Sequence, residues 1–347
     1  MNYNWTLKDA NFTKDKGKVF SCFACGGGST MGYKLAGFDV IGHNDIDPKM
    51  VEVYKENHKP KYSFLESITT FAKRKDLPKE LYNLDILDGS PPCSSFSMAG
   101  NREKDWGKEK KFREGQELQV LDTLFFDFID LANELKPKVV VAENVKGLLL
   151  GNAKQYVIKI YEAFDKAGYT CQHFLLNASK MGVPQRRERV FFIALRKDLA
   201  PKFMENVDMF TQLPKLELNF NEKEIPFSEV YKNTNEINNY NDLTDLQQNL
   251  YDKCKEGESF SKYDERGFYF GYTKVSSKKS VPTLTTKTDS LKHFNIPRQL
   301  TLKEWILCSS FPTDYINCKK YLIGMSVPPL MTGKIAEQIY KQWLSLI

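Results

Sequence analysis

Along the first two hundred or so residues, short apolar runs alternate with stretches whose apolar positions recur every three or four residues. That is the pattern of strands and helices taking turns in an α/β fold. Residues 18–23 predict a first strand, which runs into Ala24-Cys25-Gly26-Gly27-Gly28-Ser29 and then a helix to about Ala36. Residues 38–43 predict a second strand that ends at Asn44-Asp45-Ile46-Asp47. Pro48 opens the next helix, where its missing N–H costs nothing. A further strand is expected at 84–87, and a helix at 118–135 with Leu121, Leu124, Phe125, Phe128 and Leu131 as its core-facing stripe. Residues 138–142 form a β-branched run with little alternation, as in a strand covered on both faces, ending at Glu143-Asn144-Val145. A helix over 153–167 with Gly168 at its C-cap and a strand over 189–195 complete the series. After Lys197 the alternation is lost, and Asn, Asp and Tyr cluster around 233–241. A second, irregular lobe is expected there, with the amphipathic segment 335–346 returning to the first lobe.

Composition narrows this picture only slightly. The 347 residues, 41% apolar and 27% charged, allow a large core and two lobes. No run of eighteen apolar residues predicts a membrane span, and the N-terminus lacks the charged and apolar regions of a signal peptide. Seven scattered cysteines point to reduced thiols and a cytoplasmic location. The net charge of +6 is distributed unevenly: 201–252 carries −6, 255–303 carries +5 and 94–113 carries +3. Solvated surface explains any one such stretch. Two basic stretches together point toward a polyanionic substrate.

Four places carry candidate chemistry. Cys93 stands in Asp88-Gly89-Ser90-Pro91-Pro92-Cys93-Ser94-Ser95-Phe96-Ser97. Two prolines stop the strand there and present the thiol at its C-terminal edge, where α/β sheets place ligands. The alternative is a buried structural cysteine. The turn Gly26-Gly27-Gly28 lets the backbone approach a ligand closely, and Asp45, seventeen residues past Gly28, suits the two hydroxyls of a ribose. Glu143, at the end of an apolar strand, is placed to carry a proton, or else caps a helix or forms an ion pair. In Gln185-Arg186-Arg187-Glu188-Arg189, strand alternation points Arg187 and Arg189 the same way, toward a carbonyl oxygen or a phosphate. A solvated charged turn is the plainer alternative. Cys22 and Cys25 have no second close pair of ligands, so no metal site is expected.

The order of these motifs resembles the cytosine-5 DNA methyltransferases. The likeness runs through Phe23 to Gly28, Asn44 to Asp47, the Pro-Pro-Cys turn, Glu143-Asn144-Val145, Gln185 to Arg189, Arg298-Gln299-Leu300-Thr301 through Phe311-Pro312, and Gly324-Met325-Ser326-Val327-Pro328-Pro329. The resemblance implies a Rossmann-like α/β lobe for S-adenosylmethionine, residues 1–198 completed by 321–347. A smaller, irregular target-recognition lobe, 199–320, would face DNA across a cleft. It implies that Phe23, Cys25, Gly26, Gly27, Gly28, Asp45, Ile46, Ser67, Ile68, Ser90, Pro92, Ser326 and Val327 hold the cofactor. Cys93 would add to carbon 6 of a cytosine flipped out of the duplex, and carbon 5 would thereby become nucleophilic. Glu143 would hold the exocyclic amine and protonate ring nitrogen 3, and Arg187 and Arg189 would bind the ring carbonyl. Ser94, Ser97, Asn144, Gln185, Lys278 and Lys279 would contact DNA, within a basic loop over 94–113 and a recognition region over 251–295 that includes Phe268, Tyr269, Tyr272 and Lys274. Double-stranded DNA is the implied partner, with no metal and no membrane. A cognate restriction endonuclease at the same site and a monomeric state complete the expectation.

Several positions depart from the family pattern. Ser94 stands where a Gln usually follows the nucleophile, Ser67 where Asp is frequent, Met325 where Asn is usual, and Cys25 replaces a small residue of the glycine turn. Three other readings compete. An RNA cytosine-5 methyltransferase on the same scaffold is disfavoured by the long second lobe. A catalytically silent DNA-binding regulator is disfavoured by the retained Cys93, Glu143, Arg187 and Arg189. A Rossmann oxidoreductase is disfavoured by the glycine pattern.

Overall fold

The computed structural model describes residues 2–92, 109–110, 119–120, 123–206, 212–234 and 241–347. Its centre is a seven-stranded sheet. The strands are β1 (Lys18–Cys22), β2 (Asp39–Asp45), β3 (Tyr62–Leu65), β4 (Ile86–Gly89), β5 (Val139–Val145), β6 (Tyr169–Asn177) and β7 (Glu188–Arg196). Their order across the sheet is β3-β2-β1-β4-β5-β7-β6. The five strands from β3 to β5 run parallel, and β7 pairs antiparallel with β5. Residues such as Val19, Phe20, Ile86, Leu87, Val139 and Val140 are fully buried, as a sheet covered on both faces requires.

Five helices accompany these strands: α1 (Gly28–Leu35), α2 (Pro48–His58), the short α3 (Ile68–Phe71), α4 (Leu124–Leu135) and α5 (Lys154–Lys166). Asp47 caps α2 by accepting from Lys49 N and Met50 N, with Pro48 in the first helical position. Phe125, Phe128, Leu131, Ile160 and Phe164 join Phe20, Phe71, Leu87, Val140 and Phe192 in one apolar cluster.

Two expectations shift. The helix expected over 118–135 begins at Leu124; Gln119–Val120 is instead a short strand paired with Glu109–Lys110. The buried stripe of the helix runs from Leu124 to Leu135, and Leu121, expected to belong to it, lies outside the described residues. Strands β3 and β6, at the two edges of the sheet, were not expected from the sequence.

The chain divides into two compact units. The larger comprises Asn11–Leu176, Glu188–Asn219 and Thr332–Ile347 and contains the sheet. Within it Tyr340 meets Phe38 edge to face, and the buried Trp343 donates to Lys215 O at 2.7 Å. The smaller comprises Met1–Ala10, Asn177–Arg187 and Phe220–Met331. It holds α6 (Phe227–Thr234), α7 (Asp245–Lys253), α8 (Leu302–Cys308), α9 (Lys320–Met325) and the first residues of α10 (Pro329–Gln342). A buried ion pair organises it. Arg298 grips both oxygens of Glu304 at 2.9 and 2.7 Å, and Glu304 closes a capping box with Thr301 at the start of α8.

Candidate active site

Parallel register sets four strand ends in one row. Cys22 is level with Asn44 on one side and Gly89 on the other, and Gly89 is level with Ala142. The next residues along, Asp45, Phe23, Ser90 and Glu143, therefore lie at the same end of the sheet. Successive connections diverge between β1 and β4, which is where an open α/β sheet forms its ligand crevice.

The glycine turn is tightly built. Gly27 has φ +84°, and a Cβ there would lie 2.2 Å from His58 Nε2, so only glycine fits. Phe23 and Cys25 also take left-handed backbone conformations, and Phe23 packs against Phe128. Asp45 ties the turn to β2. One of its oxygens accepts from Cys25 N and the other from Asp47 N, at 2.7 and 2.8 Å. Burial raises its carboxyl to about 6, against the opposing pull of these backbone donors. Ile46 is partly exposed beside it. Ser67 caps α3 by accepting from Thr70 N, and Ile68 is buried.

At the end of β4, Ser90 and Pro92 are partly exposed and Pro91 is buried. Asn144, also buried, donates from Nδ2 to Pro91 O at 3.2 Å and accepts from Val145 N at 2.8 Å. Its amide thus pins the Pro-Pro turn. Cys93, Ser94 and Ser97 lie outside the described residues, as does most of the basic stretch 94–113.

Glu143 is held by Arg189, whose Nε lies 2.9 Å from Oε1, both side chains being largely buried. The antiparallel register explains the meeting. Arg189 stands opposite Val145, which makes it the diagonal neighbour of Glu143 on the same face. Arg189 Nη1 also donates to Glu188 O at 2.8 Å. Burial lowers the guanidinium's pKa while Glu143 opposes that shift. The carboxylate that the sequence places beside an apolar interior thus has a cation at its side.

A further carboxylate at this edge is one that sequence reasoning missed. Asp88 in β4 accepts from Ser21 Oγ and Ser29 Oγ, each at 2.7 Å, and from Tyr33 OH at 3.2 Å. Burial pushes it up to about 6, against the opposing pull of these hydroxyls. The signal available in the sequence was an Asp inside a buried strand, where an unpartnered charge is not tolerated.

The remaining candidates lie in the smaller unit. The expected convergence of Arg187 and Arg189 does not follow from strand alternation, because β7 begins only at Glu188. Arg187 is buried, its carbonyl accepts from Ala178 N, and its guanidinium donates to Leu284 O at 2.7 Å and Gly324 O at 3.0 Å. Gln185 is likewise buried and accepts from Leu284 N. Ser326 donates to Leu322 O at the end of α9, and Val327 is buried. Lys278 and Lys279 are exposed. Among the described residues no cluster of His, Cys, Asp and Glu is arranged to hold a metal ion.

Residues 17–341 match the C-5 cytosine-specific DNA methylases. The chain belongs to that family. The type II methyltransferase M.NgoPII of Neisseria gonorrhoeae is 29% identical over 353 residues, 93% of this chain and 95% of that protein. M.FnuDI of Fusobacterium nucleatum, also a type II methyltransferase, is 36% identical over 182 residues, 52% of this chain and 48% of the relative. Among solved structures, a prophage-encoded Escherichia coli chain described as a DNA modification methyltransferase superposes with a TM-score of 0.62 at 21% identity, covering 94% of this chain and 99% of its own. The Dnmt2 methyltransferase of S. pombe gives 0.58 at 16%, covering 93% and 98%. The α/β sheet is thus the sheet of a cytosine-5 DNA methyltransferase, and Asp45, Ser90 and Glu143 stand at one end of its parallel strands.

Proposed function

We propose that this methyltransferase transfers a methyl group from S-adenosylmethionine to carbon 5 of a cytosine flipped out of a specific duplex sequence, through a transient bond from Cys93 to carbon 6. The observation that carries this reading is the Glu143–Arg189 pair, set in the same row of strand ends as Ser90, three residues before Cys93. The glycine turn fits the cofactor, since its backbone is bare where a Cβ at Gly27 would collide, and Asp45 stands beside it. Phe23, Cys25 to Gly28, Asp45, Ile46, Ser67, Ile68, Ser90 and Pro92 are its proposed binding residues, together with Ser326 and Val327. Bound there, S-adenosylmethionine supplies an electrophilic methyl group.

The chain's own residues do the rest. The Cys93 thiolate adds to carbon 6 and raises electron density at carbon 5. Glu143 holds the exocyclic amine and delivers a proton to ring nitrogen 3, relieving the charge that the addition creates. Arg189 orients Glu143 through Nε, and we assign its Nη2 to the ring carbonyl oxygen. After methylation, loss of the carbon-5 proton and departure of Cys93 restore the aromatic ring. Arg187, whose guanidinium lies against two backbone carbonyls, is assigned to holding its unit together. Lys278 and Lys279 are assigned to DNA phosphates. The protein is read as a cytoplasmic monomer that shares its site with a restriction endonuclease.

The test is incorporation of labelled methyl groups by the pure protein into duplex DNA and, separately, into transfer RNA, followed by bisulfite mapping of the DNA. Methylated cytosines in one recurring duplex sequence are expected. Labelling confined to RNA, or methyl groups on another ring position, would overturn the reading.

A further inference from the structure

Two phenylalanines in the smaller unit stand out. Phe268 is 75% exposed and Phe270 80%, more than any other large apolar side chain described. They do not belong to a loose segment of polar chain. The turn that carries them is built from beneath by Asp264, whose carboxylate accepts from Phe268 N at 2.9 Å and Arg266 Nε at 3.0 Å, while its carbonyl accepts from Gly267 N. The residues between and after the two rings point the other way. Tyr269 and Tyr272 pack on Phe260, Leu250 and Tyr251 in a small apolar cluster of their own. Gly267 and Gly271, at φ +71° and +86°, bracket the pair and have no heavy atom within 4 Å of where a Cβ would stand. The rings are therefore held up by an anchored base and flanked by bare backbone.

The segment 255–303 that carries them has a net charge of +5, with Glu265 exposed beside the turn and Asp289 accepting from Tyr272 OH. Arg266 lies over the Phe268 ring at 5.6 Å, and Lys287 and Lys274 lie over the Tyr272 and Tyr251 rings at 4.3 and 3.9 Å. Tyr269 and Tyr272, which the sequence placed among the recognition residues, are thus part of the support, and the outward side chains are Glu265, Arg266, Phe268 and Phe270.

Bare aromatic rings on a hydrogen-bonded turn, in a segment of net positive charge, suit stacking on nucleobases beside a phosphate backbone. We propose that the 266–271 turn is a wedge. Phe268 and Phe270 insert against a base step of the recognised duplex, while Arg266 meets the adjacent phosphate. This rests on the DNA methyltransferase reading above. It deepens that reading by naming what occupies the stack while a base is displaced, in a chain that has Ser94 where its family usually has Gln.

The experiment uses the full chain and a duplex carrying the sequence that the wild type methylates, with 2-aminopurine substituted in turn at each position near the target. Wild-type binding is expected to brighten or quench the probe at one step. Phe268→Ala with Phe270→Ala is expected to abolish that signal and weaken binding roughly 10- to 100-fold, the usual loss for one or two stacked bases. Tyr at both positions, which keeps the π-face, is expected to restore both readouts. Because both rings are exposed, the Ala variant is expected to melt with the wild type. If the wild type methylates DNA and the Ala variant binds and signals like it, the wedge is wrong and the function stands. The wedge is equally wrong if the Ala variant loses only the binding of another protein. If the wild type methylates no DNA, the function itself fails first.

Discussion

The sheet edge and the smaller unit use buried charge in opposite ways, and two arginines two residues apart show it. Arg189, in β7, pairs with Glu143 at the mouth of the sheet. Arg187, just ahead of the strand, faces the carbonyls of Leu284 and Gly324. At the sheet edge, carboxylates lie at strand ends and are held ready by backbone amides, hydroxyls or one cation. In the smaller unit, Arg187, Gln185 and the Arg298–Glu304 pair tie irregular segments that have no sheet to order them. A buried charge is costly wherever it is, so each must be partnered. The two arginines differ in partner: Arg189 holds a carboxylate at a strand end, whereas Arg187 spends its guanidinium on backbone carbonyls.

Glu143→Gln tests the chemical side most severely. It keeps the shape but cannot carry the proton, so single-turnover methylation is expected to fall roughly 10²- to 10⁴-fold with cofactor binding retained. A variant with near-normal turnover would remove Glu143 from the mechanism. Arg187→Ala tests the scaffold side. Two buried carbonyls are left without their charged donor, and unfolding free energy is expected to drop by about 2–5 kcal/mol in denaturant titrations. Arg187→Lys would not rescue it, because an ammonium cannot reproduce the planar fork. Arg189→Ala should instead slow catalysis more than it destabilises; a reversal of these two profiles would break the comparison.

Asp88→Asn gives a smaller, pH-dependent effect. Asp88 titrates at about 6 in the folded chain against 3.8 ordinarily. Its stabilising contribution is therefore complete below that ordinary value and lost as pH rises through 6. Relative to wild type, the Asn variant should gain about 2–3 kcal/mol of stability between about pH 4 and about pH 8. A constant difference would show that Asp88 is not so shifted. The smallest effect is expected for Lys278→Ala with Lys279→Ala. Removing two ammonium groups from the phosphate backbone should lower the slope of log affinity against log salt by up to about 2, and an unchanged slope would take that patch off the DNA.

Much of the sheet edge was legible in the chain. Glycines before a helix, an acid at the end of the next strand and prolines after another are local signals, and parallel pairing brings such ends to one side. The Glu143–Arg189 contact was not legible as a pair, because it depends on antiparallel register between β5 and β7. Strand β3 escaped because it is four residues long and only partly buried, and β6 because Thr170, Gln172 and His173 interrupt its apolar residues at an edge. The outward turn of Phe268 and Phe270 was hidden among tyrosines of like composition, and only burial separates them. Alternation misled at Arg187, since the strand that would enforce it starts one residue later.

The central claim is a covalent one, and trapping tests it most directly. With S-adenosylmethionine and a duplex carrying 5-fluorocytosine at the methylated position, carbon 5 cannot release its substituent as a proton. The wild type is expected to stall as a denaturant-resistant protein–DNA adduct whose mass maps to Cys93, and Cys93→Ala is expected to form none. A wild type that methylates the ordinary duplex yet leaves no adduct, or an adduct mapping to another residue, would contradict the account.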